Sequence, residues 1–307
     1  MWGQEMAKKQ KGETIDAYRV WDVQPIQQFM TDLLGKRTEN EAVCKFDIDM
    51  EALDAYVTRK NSGNPEFKYT FFHVFCAALG RSVAERPRMN YFIRNGHYYE
   101  RKEISFTAIA KKQKKDGAEE GMIIMKYDRN SEKSPVDQMH ESICKQVYNI
   151  RKSEDSHDDT TKIMQTLVNL PRPIYKMIMS FILWSDRKGR MPKDLVEASP
   201  YSKTCFISNL GSIALDAEYH HLANFGSNSF FAIIGKKVKK PVFHDDGTYE
   251  MRYFLPISFT IDERIGDGVY FANTIKVFKA YMMRPELLEI PANQPIDIKA
   301  VEAELNL

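Results

Sequence analysis

A chain of 307 residues, 43% hydrophobic and 28% charged, has the apolar mass for a sizeable core and the ordinary balance of a soluble globular protein. Its net charge of +2 is too near neutral for nucleic acid or an acidic membrane surface to be the main partner. Cys44, Cys76, Cys144 and Cys205 form no Cys-x-x-Cys pair, so their spacing indicates neither a zinc site nor a disulfide framework. They read as small core residues of a protein from a reducing compartment, so a cytoplasmic location is expected and no metal is.

In chain order, "MWGQEMAKKQKGE" lacks the apolar segment of a signal peptide, and residues 1–13 are expected to form a flexible arm. "VWDVQPIQQFMTDLL" predicts a helix from Pro25, with Ile26, Phe29, Met30, Leu33 and Leu34 on one face. "AVCKFDID" alternates and predicts a strand; "DMEALDAYVTRK" predicts a helix with Asp49 as its N-cap. "KYTFFHVFCAALGRSVAERP" predicts a buried helix that ends before Pro87. Asn95-Gly96 between two aromatic-rich runs predicts a hairpin. "EISFTAIAKK" and "GMIIMKY" follow as strands around the charged loop "QKKDGAEE". "SPVDQMHESICKQVYNIRK" opens a helix on serine and proline.

"SEDSHDDTT" has a metal site's composition but neither ordered ligand spacing nor the glycine of a calcium loop, so it reads as a solvated connection. Helical segments follow around Leu167 and from Ile174 to Trp184; the second has a wide apolar face suited to core or subunit contact and is too short to span a bilayer. "KTCFISNLG", "SFFAIIGKKVKKPVF" and "YEMRYFLPISFTID" are the last strands, with Asp246-Gly247 as a second hairpin turn. A helix from about Asp267 to Met283 closes the series before Pro285. Irregular alternation with adjacent hairpins predicts a mixed α/β sandwich rather than a doubly wound parallel sheet. No glycine-rich phosphate loop follows a strand.

The corner "TIDERIGDG" gathers Asp262, Glu263, Arg264 and Asp267 between strand and helix. Three readings are open: Asp267 as a plain helix cap, Glu263 and Asp267 as an acid/base pair, or a hard-cation site. No Gly-x-Ser-x-Gly elbow is present. Of the scattered histidines, His220 and His221 are neighbours, and His221 is a candidate for lining a pocket.

Several of these stretches, in order, resemble the catalytic core of the dihydrolipoyl acyltransferases of 2-oxoacid dehydrogenase complexes. That family shares its fold with chloramphenicol acetyltransferase. "CFISNLGS" is similar to the family's strand with a Ser/Thr-x-x-Leu-Gly ending, and "NSFFAIIGKKVKKPVF" to its next two strands. "LPISFTIDERIGDGVYFANTIKVFKAYMMRPELL" is similar to its long strand, motif corner, last helix and tail. Upstream, "FFHVFCAALGRSVAERPRMNYFIRNGHYYERKEISFTAIA" is similar to its buried helix, Pro-x-x-Asn turn and hairpin.

The resemblance implies a chloramphenicol acetyltransferase-like mixed sheet covered by helices, in one catalytic domain over 14–290 with a tail at 291–307, assembled as a homotrimer. It implies a coenzyme A thioester as acyl donor, a small-molecule acceptor and an active site between subunits. The family's corner reads His-x-x-x-Asp-Gly, with the histidine as general base. Here the aspartate and glycine are Asp267 and Gly268, but position 263 is glutamate. Asp267 is implied to be structural and paired with an N-terminal arginine, for which Arg19 is the candidate. Ser208 stands where the family places the donor to the tetrahedral oxyanion; Asn209 beside it and His221 are the candidate substrate-binding residues.

A free glutamate, pKa about 4.3, is a weaker base than a histidine at about 6.5. Burial and the neighbouring Asp262 and Asp267 are expected to strengthen it. The chain has no room before the core for the family's lipoyl domains, so a stand-alone relative without a lipoyl domain is expected. The competing reading is a catalytically inactive trimeric scaffold or ligand-binding relative.

Overall fold

The computed structural model describes residues 11–111, 120–152 and 166–307. All of "SEDSHDDTT" and all but the last residue of the charged loop "QKKDGAEE" lie outside them. The elements run β1 (Ala17–Arg19), α1 (Pro25–Leu33), β2 (Glu41–Asp49), α2 (Glu51–Lys60), α3 (Phe71–Glu85), β3 (Tyr91–Arg94), β4 (His97–Arg101), β5 (Ile104–Lys111), β6 (Glu120–Tyr127) and α4 (Pro135–Lys152). They continue with α5 (Arg172–Arg187), α6 (Lys193–Ala198), β7 (Cys205–Asn209), β8 (Phe230–Ile234), β9 (Val238–Phe243), β10 (Tyr249–Asp262), α7 (Gly268–Met283) and α8 (Ile298–Glu304).

β10 is the spine of the larger sheet, whose order is β2-β10-β8-β7-β5-β6, with β9 also on β10. Its first residues pair with β9 and are mostly exposed, whereas Leu255 to Asp262 are all buried between β2 and β8. β7 lies parallel to both β5 and β8; the other pairs are antiparallel, so the sheet is mixed. A small sheet, β1-β4-β3, stands apart. Asn95 and Gly96 both take positive φ, 51° and 74°, as the tight turn between β3 and β4 requires. The turn at Asp246-Gly247 is longer than a two-residue hairpin, closed by His244 N–H on Thr248 O at 2.9 Å.

One face of the large sheet is covered by α3, α4 and α7. Residues His73 to Val83 of α3 are all buried, and Phe46, Phe75, Phe259 and Phe278 meet edge to face with centroids 5.4–6.2 Å apart. On the other face a smaller cluster of Phe206, Ala217, Leu222, Phe231 and Ile233 seats the loop that follows β7.

Three local expectations are corrected. The cap of α2 is Met50, not Asp49; Asp49 stands one residue earlier and accepts from Glu51 N–H at 2.9 Å. The apolar stripe of α1 is not covered, since Ile26, Phe29 and Leu33 are exposed. Only Cys76 and Cys205 are buried; Cys44 and Cys144 are half-buried. The 291–307 segment carries α8, and Arg81 holds its start through the carbonyl of Ala292 at 2.8 Å.

Candidate active site

The corner sorts its acids where β10 gives way to a single 3-10 turn, Glu263–Ile265, capped by Asp262. Asp262, the last residue of β10, is fully buried, and the turn brings Arg264 back onto it, Arg264 N–H donating to Asp262 Oδ1 at 3.3 Å. Arg264 grips Asp262 with Nε on Oδ1 at 2.8 Å and Nη2 on Oδ2 at 2.7 Å. Arg37 adds a second cation, Nε to Oδ2 at 3.6 Å. It also donates to the carbonyls of Ala223 and Gly226, while Asp186 accepts from Gly226 N–H at 3.1 Å. This lock ties β10, the segment after α1, the loop before β8 and the end of α5 together. Buried charges survive only when paired in this way. The Asp-x-Arg spacing at the strand end points to Arg264, whereas no local pattern points to Arg37.

Asp267 caps α7, its Oδ1 accepting from Tyr270 N–H at 2.8 Å. The capping reading of this residue therefore stands. Arg19 lies elsewhere: its Nη2 is 3.1 Å from His97 Nδ1 and its guanidinium stacks 4.0 Å over Trp21. No ion pair joins it to Asp267 among the described residues; the carboxylate–arginine lock of this corner is at Asp262 instead. Gly268 opens α7 with free space where a Cβ would stand.

Glu263 is exposed, so the burial expected for it is not found within one chain. Asp262, turned inward to two arginines, is also no unpaired neighbour for it. Glu263 N–H is fixed on Asn40 O at 2.8 Å, and the residue opens on a cleft of about 180 Å³ with Ile26, Gln27, Met30, Asn40 and Arg264. Tyr98 holds α1 to this corner through Thr31 Oγ1 at 2.8 Å and the Arg264 carbonyl at 2.9 Å. A cleft of about 300 Å³ shares Arg264 and is lined also by Lys36, Arg37, Arg94, Asp186 and Arg187.

Ser208 is half-buried near the end of β7. Asn209 caps the turn that follows, accepting from Ser212 N–H at 3.2 Å. Gly211 is required there by close approach: a Cβ would stand 2.3 Å from the carbonyl oxygen of Gly235. His221 is exposed; its neighbour His220 makes the packing contact, stacked on Phe231 at 4.2 Å.

Ser208 and Glu263 do not meet within one chain. Ser208 is level with Ile233, and Ile233 with Ser258 of β10. From Ser258 the strand runs four residues, about 13 Å, to Asp262 before Glu263 is reached, and two strand spacings, about 10 Å, separate β7 from β10.

Residues 192–290 match the sequence profile of the 2-oxoacid dehydrogenases acyltransferase (catalytic domain) family. A probable dihydrolipoamide acetyltransferase from Listeria monocytogenes 4b F2365 superposes with a TM-score of 0.54 at 15% identity, over 87% of this chain and 95% of that one. The dihydrolipoamide acetyltransferase of Azotobacter vinelandii gives 0.53 at 15% identity, over 88% and 93%. A chloramphenicol acetyltransferase gives 0.50 at 12% identity, over 87% and 99%. No curated protein matches the chain in sequence. The fold is therefore the chloramphenicol acetyltransferase-like one that the resemblance implied. Profile and fold together indicate an acyltransferase-type catalytic core. No helix among the described residues is long and apolar enough to cross a membrane.

Proposed function

We propose that this protein moves an acyl group from a coenzyme A thioester to a small hydroxyl, thiol or amine acceptor, at a site completed by a second copy of the chain in a homotrimer. The observation that carries this reading is Glu263: an exposed carboxylate on a cleft, four residues ahead of the aspartate that caps α7. In the Azotobacter protein a serine, a histidine and an asparagine have roles in the catalytic mechanism, the last two four positions apart. Ser208, Glu263 and Asp267 are the residues here that suit those places.

In this scheme the Glu263 carboxylate takes the proton of the acceptor as the acceptor's heteroatom bonds to the thioester carbon. Ser208 Oγ–H donates to the oxyanion that forms; one such preorganised donor contributes about 3 kcal/mol to barrier lowering. Collapse breaks the carbon–sulfur bond, and the coenzyme A thiolate recovers the proton from Glu263. Asn209 and His221 belong to the substrate side. Asp267 holds the α7 terminus behind the base. The cleft beside Arg264, with Lys36, Arg94 and Arg187 on its walls, suits the phosphates of the donor. The four unbonded cysteines agree with a cytoplasmic setting.

The test is direct. Acetyl-coenzyme A or coenzyme A should raise the melting temperature, since a ligand at a hundredfold excess over its Kd adds about 2.7 kcal/mol. Acyl-coenzyme A turnover across a panel of acceptors should fall in Ser208→Ala. No thermal shift and no turnover would overturn the reading in favour of a non-catalytic scaffold.

A further inference from the structure

Away from the corner, three ligand-type side chains converge between α3 and α4. His140 and Cys144 are one turn apart on α4 and so share a face. That face meets the start of α3, which carries His73. One ligand atom from each of the three lies within 4.8 Å of the other two.

Their hydrogen bonds leave one nitrogen of each ring over. His73 is 6% exposed. Its Nδ1 accepts from Thr70 N–H at 3.0 Å and is 2.9 Å from Thr70 Oγ1, but its Nε2 is buried with no hydrogen-bond partner. Buried polar atoms are nearly always paired, so this one needs a partner that the described residues do not supply. His140 spends Nε2 on the carbonyl of Phe67 at 2.9 Å, which leaves Nδ1. Tyr69 lies flat on the His140 ring, centroids 3.8 Å apart, and is itself held by its hydroxyl on Asp137 at 2.9 Å. Cys144 is half-buried and forms no disulfide.

We propose that His73 Nε2, His140 Nδ1 and Cys144 Sγ bind one zinc ion, with a fourth position left to water. Two imidazoles and a thiolate are zinc's usual donors, and no carboxylate belongs to the set to favour calcium or magnesium. Tetrahedral zinc with bonds of about 2.0–2.3 Å sets its ligand atoms roughly 3.3–3.7 Å apart. The three side chains already stand close to that spacing, and small side-chain rotations bring their donors into it. Binding releases the Cys144 thiol proton to solvent. The His73 ring proton moves from Nε2 to Nδ1, where Thr70 Oγ1 accepts it, the outer hydrogen bond typical of a metal-bound imidazole. Thr70 N–H gives up its ring acceptor in exchange, so the first turn of α3 is the part that readjusts.

The experiment uses the full chain, reduced and freed of metal by a chelator. Zinc titration against a chromophoric chelator should show one equivalent per chain with submicromolar affinity. Cobalt(II) in its place should give a thiolate-to-cobalt charge-transfer band in the near ultraviolet. Cys144→Ser, a near-isosteric change, should abolish that band and weaken zinc at least tenfold, and His140→Gln should weaken it similarly, with circular dichroism verifying that both fold. Failure of the wild-type chain to bind zinc stoichiometrically at micromolar concentration would overturn the proposal. So would zinc binding that persists undiminished in both variants.

Discussion

At the scale of single residues the question is whether one carboxylate does an imidazole's work at position 263. General bases contribute about 10²- to 10⁴-fold to rate. Glu263→Gln, which keeps shape and removes the base, should therefore lower turnover by at least about a hundredfold while leaving the melting temperature within a degree or so of wild type, because the side chain is exposed. Stopped-flow or end-point assay of coenzyme A release reads the first, calorimetry the second. Lys203 offers a test in the opposite sense. It is buried, its Nζ held by the carbonyls of Val196 and Glu197 at 3.1 and 2.8 Å. Burial, then the nearby Lys126, lower its pKa to about 8. Between about pH 8 and pH 10 the unfolded chain holds more protons at this site than the native one, so its contribution to stability rises with pH and its penalty is full below pH 8. Urea unfolding should show wild type gaining about 1–2 kcal/mol over Lys203→Met across that window, after allowance for solvent screening. A residue's local role was legible where the signal was local. Asp267 as a cap follows from an acid before a helix. The pairing of Asp262 with Arg37 was not, because Arg37 is distant in sequence, and neither was the approach of His73 to Cys144, because no cysteine spacing encodes it.

Elements put these residues to use through rigid joints. The lock of Arg264 and Arg37 on Asp262 fixes the end of β10 from which Glu263 projects. Asp262→Ala strands two buried guanidinium groups and should cost about 3–5 kcal/mol. Adding Arg264→Met should recover part of that loss, a coupling that a double-mutant cycle in urea measures. Gly211→Ala drives a methyl group into the Gly235 carbonyl and should cost about 1–3 kcal/mol. It should also lower turnover more than it lowers substrate binding, because the turn it distorts anchors Ser208. Helices and strands themselves were readable from period and turn residues: the Asn95-Gly96 hairpin, the largely buried α3 and the long β10 all appear where those signals put them. Which helix face is covered was not readable. The stripe on α1 has the pattern of a core face, yet Ile26, Phe29 and Leu33 stand in solvent in the single chain, since periodicity records that a face is apolar but not what meets it.

For the molecule as a whole, sheet order depends on contacts far apart in sequence. β2 pairs with β10 and β5 with β7, and neither pairing follows from local pattern; the resemblance to a known family supplied the fold class but no strand order. The same scale explains the uncovered apolar surface. On α5, Met177, Phe181 and Trp184 are 66%, 63% and 46% exposed, more than a solitary soluble chain usually leaves on one helix. Sedimentation should find a trimer, and Met177→Glu with Phe181→Glu should shift it toward smaller species. The distance between Ser208 and Glu263 along one sheet has its own consequence. The proposed reaction uses both and must borrow one of them from a neighbouring chain, so a folded monomer should be inert and activity should vanish on dilution. Two dead variants are then not dead together: Ser208→Ala and Glu263→Gln, unfolded and refolded as an equal mixture, should regain about a quarter of wild-type activity, the share of interfaces that pair one chain's intact serine with another's intact carboxylate.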